Sequence, residues 1–154
     1  MSFMKLIFVA SMAVFFQQQA QGLTRAESAY AQQIADSFAD SIQTAFVAGP
    51  GFSQLVSIPR DLLGKPYKLE LSGGPAPSST ETGFVYVEWQ GADGNASFSA
   101  PTITTSYSAL TDADFVTEDS GRITLNPSVC QTVNMTNSFD SGGNDVIRIA
   151  KGCA

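Results

Sequence analysis

Two stretches decide the fold, Tyr67-Lys68-Leu69-Glu70-Leu71 and, thirteen positions on, Phe84-Val85-Tyr86-Val87-Glu88-Trp89. In the first, Tyr67, Leu69 and Leu71 fall on one face of an extended chain and Lys68 and Glu70 on the other. In the second, Val85, Val87 and Trp89 oppose Phe84, Tyr86 and Glu88. A period of two is the signature of a half-buried strand. Between them, Ser72-Gly73-Gly74-Pro75-Ala76-Pro77-Ser78-Ser79 has the composition of a solvated loop. The same reading extends outward to short segments at Phe52 to Ile58, Ala96 to Ala100, Ile103 to Tyr107, Arg122 to Leu125, Val129 to Met135 and Val146 to Ala150. Turn residues separate them at Gly91-Ala92-Asp93-Gly94-Asn95, Asp119-Ser120-Gly121 and Asp140 to Asp145. Seven or eight short strands at this spacing predict an antiparallel β-sandwich over residues 50–154.

Upstream the period changes. Tyr30, Ile34, Phe38, Ile42 and Phe46 recur every four residues, with Ala31, Ala35, Ala39 and Ala45 alongside and Gln33, Asp36, Asp40 and Gln43 opposite, which predicts an amphipathic helix over 23–49. Thr24-Arg25-Ala26-Glu27 has the capping-box pattern for its start, and Ala48-Gly49-Pro50-Gly51 for its end. The stripe must be buried, either on the protein's own sheet or against the same helix in neighbouring subunits. Before it, Leu6 to Phe16 (LIFVASMAVFF) is an uncharged run behind Lys5. As a helix it spans roughly 16 Å, about half of a hydrocarbon core and the length of a signal-peptide apolar region. Residues 1–22 are thus an export or anchor segment, with two outcomes open. Cleavage after Ala20-Gln21-Gly22 would leave Leu23 first; retention would keep a tilted or bundled anchor with Lys5 at the membrane surface. The fold class expected is α+β, a long N-terminal helix, hydrophobic then amphipathic, followed by the sandwich.

Composition narrows function. The chain has 154 residues, 8 basic and 14 acidic side chains, 2 cysteines and no histidine. Without imidazole there is no serine-histidine-carboxylate triad, no cysteine-histidine pair and no histidine-ligated zinc. A net charge of -6 opposes nucleic-acid phosphates, so no nucleic acid is expected as a partner. Cys130 and Cys153 are an even pair that an extracellular setting would join, closing a loop of about 24 residues. Asn95-Ala96-Ser97 and Asn134-Met135-Thr136 fit the glycosylation pattern, as polar turn residues also do; Asn126-Pro127-Ser128 is excluded by its proline.

Other chemistry is thinly supported. Asp112, Asp114, Glu118 and Asp119 could offer oxygens to Ca²⁺, but lack EF-hand spacing, and a solvated capping loop is the plainer reading. Asp140, Asn144 and Asp145 around two glycines read as a tight turn. Glu88 beside Trp89 is the one carboxylate in a setting that lines sugar sites, although a tryptophan in an alternating strand usually faces a core. No catalytic residue, cofactor or metal is expected, and the protein is not expected to be an enzyme.

The order of hydrophobic helix, amphipathic helix and β domain resembles archaeal type IV pilin-like surface proteins and the membrane-anchored sandwich proteins of the archaellum. The similarity is greatest over Phe52 to Leu71, in particular over Val56 to Leu71, where a strand, Pro59, a short apolar turn, Gly64-Lys65-Pro66-Tyr67 and a second strand follow one another. That resemblance implies a structural protein at the cell surface, membrane-anchored before assembly, either a filament subunit or an envelope-anchored domain. It would associate with itself, and with the membrane, through Leu6, Phe8, Val9, Val14 and Phe15 and through the Tyr30, Ile34, Phe38, Ile42, Phe46 stripe. The alternative is a secreted binding module, freed after Gly22, whose loops around Gly74, Asp93 and Asp114 contact a glycan or an envelope protein.

Overall fold

The computed structural model describes residues 2–72, 83–92, 94–102 and 107–154, with helix side chains described at 10–14 and from 24 onward. The loop expected at Ser72 to Ser79 lies outside the described residues from Gly73 on, as do Asp93 and residues 103–106 of the strand expected at Ile103 to Tyr107. So do the side chains of Lys5, Leu6, Phe8, Val9 and Phe15 and those of Ala20 to Gly22.

One helix, α1 (Ser2–Ala48), precedes nine described strands: β1 (Ser53–Ser57), β2 (Tyr67–Ser72), β3 (Gly83–Gly91), β4 (Gly94–Thr102), β5 (Tyr107–Ala109), β6 (Val116–Asp119), β7 (Arg122–Leu125), β8 (Thr132–Phe139) and β9 (Asp145–Lys151). They form a four-stranded sheet, β1-β8-β9-β5, and a five-stranded sheet, β4-β3-β2-β7-β6.

The expected α+β class is therefore corrected. Among the described residues the molecule is mostly β, 48% in strands, and sandwich-like. Its helical contribution to the core is one stripe over 24–48, which packs on β3 and β4 of one sheet and on β1, β8 and β9 of the other. An α+β fold would set a helical layer against a sheet; here two sheets supply most of the buried apolar side chains and the helix fills the seam along one side. The apolar N-terminal stretch adds no second helical layer, since its described residues 10–14 are exposed. No helix among the described residues is long and apolar enough to cross a membrane.

The central hairpin shows how the alternation works. Tyr67, Leu69 and Leu71 of β2 stand opposite Trp89, Val87 and Val85 of β3, and all six are buried. Register is fixed because a one-residue slip would turn every one of them to water. On the outer face the Phe84 and Tyr86 rings lie tilted with centroids 6.0 Å apart. Two features of the sheets depart from the all-antiparallel expectation of seven or eight strands. β6 occupies what reads as an acidic loop, because only Val116 of its four residues is buried. β5 pairs parallel with β9, Tyr107 beside Ile147.

Between β1 and β2 the chain reverses at Leu62 and Lys65, which exchange backbone bonds of 2.7 and 3.0 Å. The two residues inside, Leu63 and Gly64, have φ of 50° and 83°, the left-handed pair of a tight hairpin turn. Gly64 N donates to Asp61 Oδ1 at 3.0 Å, and the Tyr67 hydroxyl donates to Pro59 O at 2.6 Å. A leucine at positive φ is strained and here also half exposed at 49%. Leu63→Asn is accordingly expected to stabilise the protein by about 1 kcal/mol, read from the urea midpoint.

Candidate functional site

The helix stripe is the first candidate surface, and it is turned inward. Ile34, Phe38 and Ile42 are buried in the common core, with Tyr30 and Phe46 packed partly buried at its margin. The stripe therefore meets this chain's own sheets. The opposite face, Gln32, Gln33, Asp36, Asp40, Gln43 and Thr44, is exposed.

Two polar contacts hold the helix at either end of the stripe, and neither is the one expected from the sequence. α1 is already helical before Thr24, so Thr24 is no cap and Glu27 no capping-box partner. Instead the buried Glu27 carboxylate receives Lys65 Nζ at 2.6 Å and Trp89 Nε1 at 3.2 Å. This ties the helix to the reversal before β2 and to β3. At the C-terminal end, Asn137 of β8, fully buried, donates its Nδ2 to Ala45 O at 3.0 Å, supplying a partner to a carbonyl that the helix end leaves unsatisfied. The chain then leaves through Gly49 at φ 85°.

The hydrogen bond from Lys65 holds the Glu27 carboxyl below its ordinary value of 4.5, against the opposing effect of burial. A carboxylate with a depressed folded value contributes stability that is present above the unfolded value and lost as the pH falls through the folded one. The melting midpoint should therefore drop as the pH falls below 4.5, and Glu27→Gln should flatten that drop. Lys65→Met, which leaves the carboxylate buried without its cation, is expected to cost about 2 kcal/mol at neutral pH.

The remaining candidates are structural devices. Asp112 Oδ1 accepts from the backbone N of Asp114 at 3.1 Å and of Phe115 at 3.3 Å, and its other oxygen faces Lys151 Nζ at 3.7 Å; Glu118 and Asp119 lie apart on β6. Asp140 Oδ1 binds the backbone N of Gly142 at 2.8 Å and of Asn144 at 2.9 Å, closing the β8 to β9 turn ahead of Asp145. Among the described residues no three acidic or cysteine side chains are placed to hold a metal. Glu88 and Trp89 both line an open groove of about 450 Å³ with Tyr67, Lys68, Asn95 and Asn126, although the Trp89 and Tyr67 side chains are otherwise buried in the core. Asn95 is exposed at the start of β4, and Asn134 is half-buried on β8, where its Oδ1 accepts from Ser53 Oγ at 3.2 Å. Cys130 and Cys153 are joined, fastening the C-terminus beside the start of β8.

Among the described residues large apolar side chains are exposed at Met12, Val14, Val47, Leu55, Leu63, Leu110, Val129 and Phe139, and two of these places bear on contacts with a partner. On α1, Met12 is 49% and Val14 53% exposed, in a described segment whose neighbours are all exposed as well. On β1, Leu55 is 68% exposed in a strand that ends its sheet. Comparison with family models, curated proteins and solved structures found no match for this chain.

Proposed function

We propose that this is a non-enzymatic, exported structural protein, a pilin-like filament subunit or envelope-anchored domain, whose β-rich body stands outside and whose N-terminal helical segment makes the contacts of assembly. The observation that carries the reading is the contrast along α1. From Glu27 to Phe46 the helix is fastened to its own sheets, whereas residues 10–14 present Met12 and Val14 to solvent. An apolar helix surface without intramolecular cover is normally covered by another copy or by lipid.

The experiment is to determine the N-terminal residue and the sedimentation state of native protein released from its host's surface. Large assemblies whose subunits retain Leu6 to Phe16 support the proposal. A monomer that begins at Leu23 overturns it.

A further inference from the structure

The four strands that end the two sheets are treated differently. β4 is covered by α1 and contains Pro101. β6 carries exposed Glu118 and Asp119, charges that discourage strand addition. β5 has three residues and lies against β6. β1 carries neither charge nor proline within its span. α1 meets it at Gln54, whose Nε2 donates to Ser41 O at 2.8 Å on the face shared with buried Val56. The bulge in which Gly51 and Phe52 both bond Asn137 lies before the strand, and the pairing of β1 with β8 runs unbroken from Ser53 to Ser57.

The register shows what the open edge offers. Asn137 N donates to Phe52 O and Ile58 N to Gln131 O, each at 2.9 Å, so the even-numbered residues of this stretch are the ones bonded to β8. Bonding alternates along an antiparallel ladder. The N–H and C=O groups of Ser53, Leu55 and Ser57 therefore point away from β8, on residues whose side chains are all exposed. These outward groups are symmetric about Leu55, reading Ser-x-Leu-x-Ser in both directions.

We propose that β1 pairs antiparallel with β1 of a second copy about a two-fold axis at Leu55. Ser53 then lies opposite Ser57 of the partner subunit and Leu55 opposite the partner's Leu55. About six main-chain hydrogen bonds close the edge, and the two leucines cover each other on the outer face. The pairing is isologous, which is why one strand whose outward residues read alike in both directions suffices. The two four-stranded sheets become one of eight strands. This contact is separate from the N-terminal helical segment and does not depend on its role.

Cysteine cross-linking of the purified full chain tests the register. Leu55→Cys should form a disulfide-linked dimer about tenfold faster than Leu110→Cys, an equally exposed control at 67% against 68%, because pairing raises the local thiol concentration. Ser53→Cys alone should not exceed that control, whereas Ser53→Cys with Ser57→Cys should link efficiently, and adding Leu55→Lys to that pair should abolish the linking while melting stays unchanged. Equal rates for Leu55→Cys and Leu110→Cys overturn the proposal. So does linking of Ser53→Cys alone as fast as Leu55→Cys, the mark of parallel in-register pairing. So does linking of Leu55→Cys, in native envelopes, only to a protein other than this chain.

Discussion

Phe38→Ala is expected to destabilise the protein by about 4 kcal/mol, the range for removing a fully enclosed phenylalanine. That corresponds to a fall of roughly 10 °C in melting midpoint for a chain of this size. Phe38 is 1% exposed and sits mid-stripe, where the helix reaches both sheets. A half-open pocket of about 190 Å³ lies beside it, lined by Ile34 and Val56 together with exposed Gln33, Ser37 and Ser57, so truncation deepens an existing gap between the helix and β1. Asp36→Ala, on the exposed face two residues earlier, should change stability by less than about 0.5 kcal/mol. The pair of variants separates the two partners that the sequence allows for the stripe. If the stripe served a neighbouring subunit instead, Phe38→Ala would leave the midpoint of the isolated chain unmoved.

Removing the bridge should be nearly as costly. Cys130→Ala with Cys153→Ala is expected to cost about 3 kcal/mol, from the entropy returned to the unfolded chain by opening a loop of this size; the sequence separation is 23. The local packing points the same way. Cys130 is fully buried, and Gly152 N donates to Thr132 O at 2.8 Å, so the C-terminal segment lies flat on β8. A Cβ at Gly152 would meet that oxygen at 2.9 Å, which is why the residue before Cys153 is glycine. Urea unfolding with and without reductant measures the difference as a shift in midpoint. An unchanged midpoint would mean that β8 and β9 hold the terminus without the bridge.

Much of the sheet structure is legible in the sequence because it rests on a period of two with one wet face. Tyr67 to Leu71 and Phe84 to Trp89 are of this kind, and their partners in the core can be named from the alternation alone. β6 is illegible for the opposite reason. It is an edge strand with one buried residue, and its Glu118 and Asp119 look like a loop because they guard the edge. The α+β class expected from the sequence fails because a helical pattern does not reveal whether it forms a layer of its own. Periodicity places the stripe from Tyr30 to Phe46 on one face, but cannot say that two sheets, not a second helix, would close around it.

The polar locks were harder still. Glu27 follows Thr24 at the capping-box spacing, and only the tertiary structure reveals that the helix does not begin there and that Lys65 and Trp89 converge on the carboxylate. Asn137 sits at an inward position of β8, where a polar residue in an apolar row was the available signal. The open edge of β1 belongs to the same category. Its lack of charge is visible in the sequence, but its position at the end of a sheet is a property of the topology.

The two sheets close on residues 24–48 of α1, and the proposed assembly surface lies apart from them on residues 10–14. Sedimentation velocity of the full chain carrying Met12→Asp and Val14→Asp, beside the unsubstituted chain, separates the two. Large assemblies should give way to species no larger than the β1-linked dimer, with the melting midpoint unchanged. Assemblies of undiminished size, or a body that no longer melts cooperatively, would contradict this division.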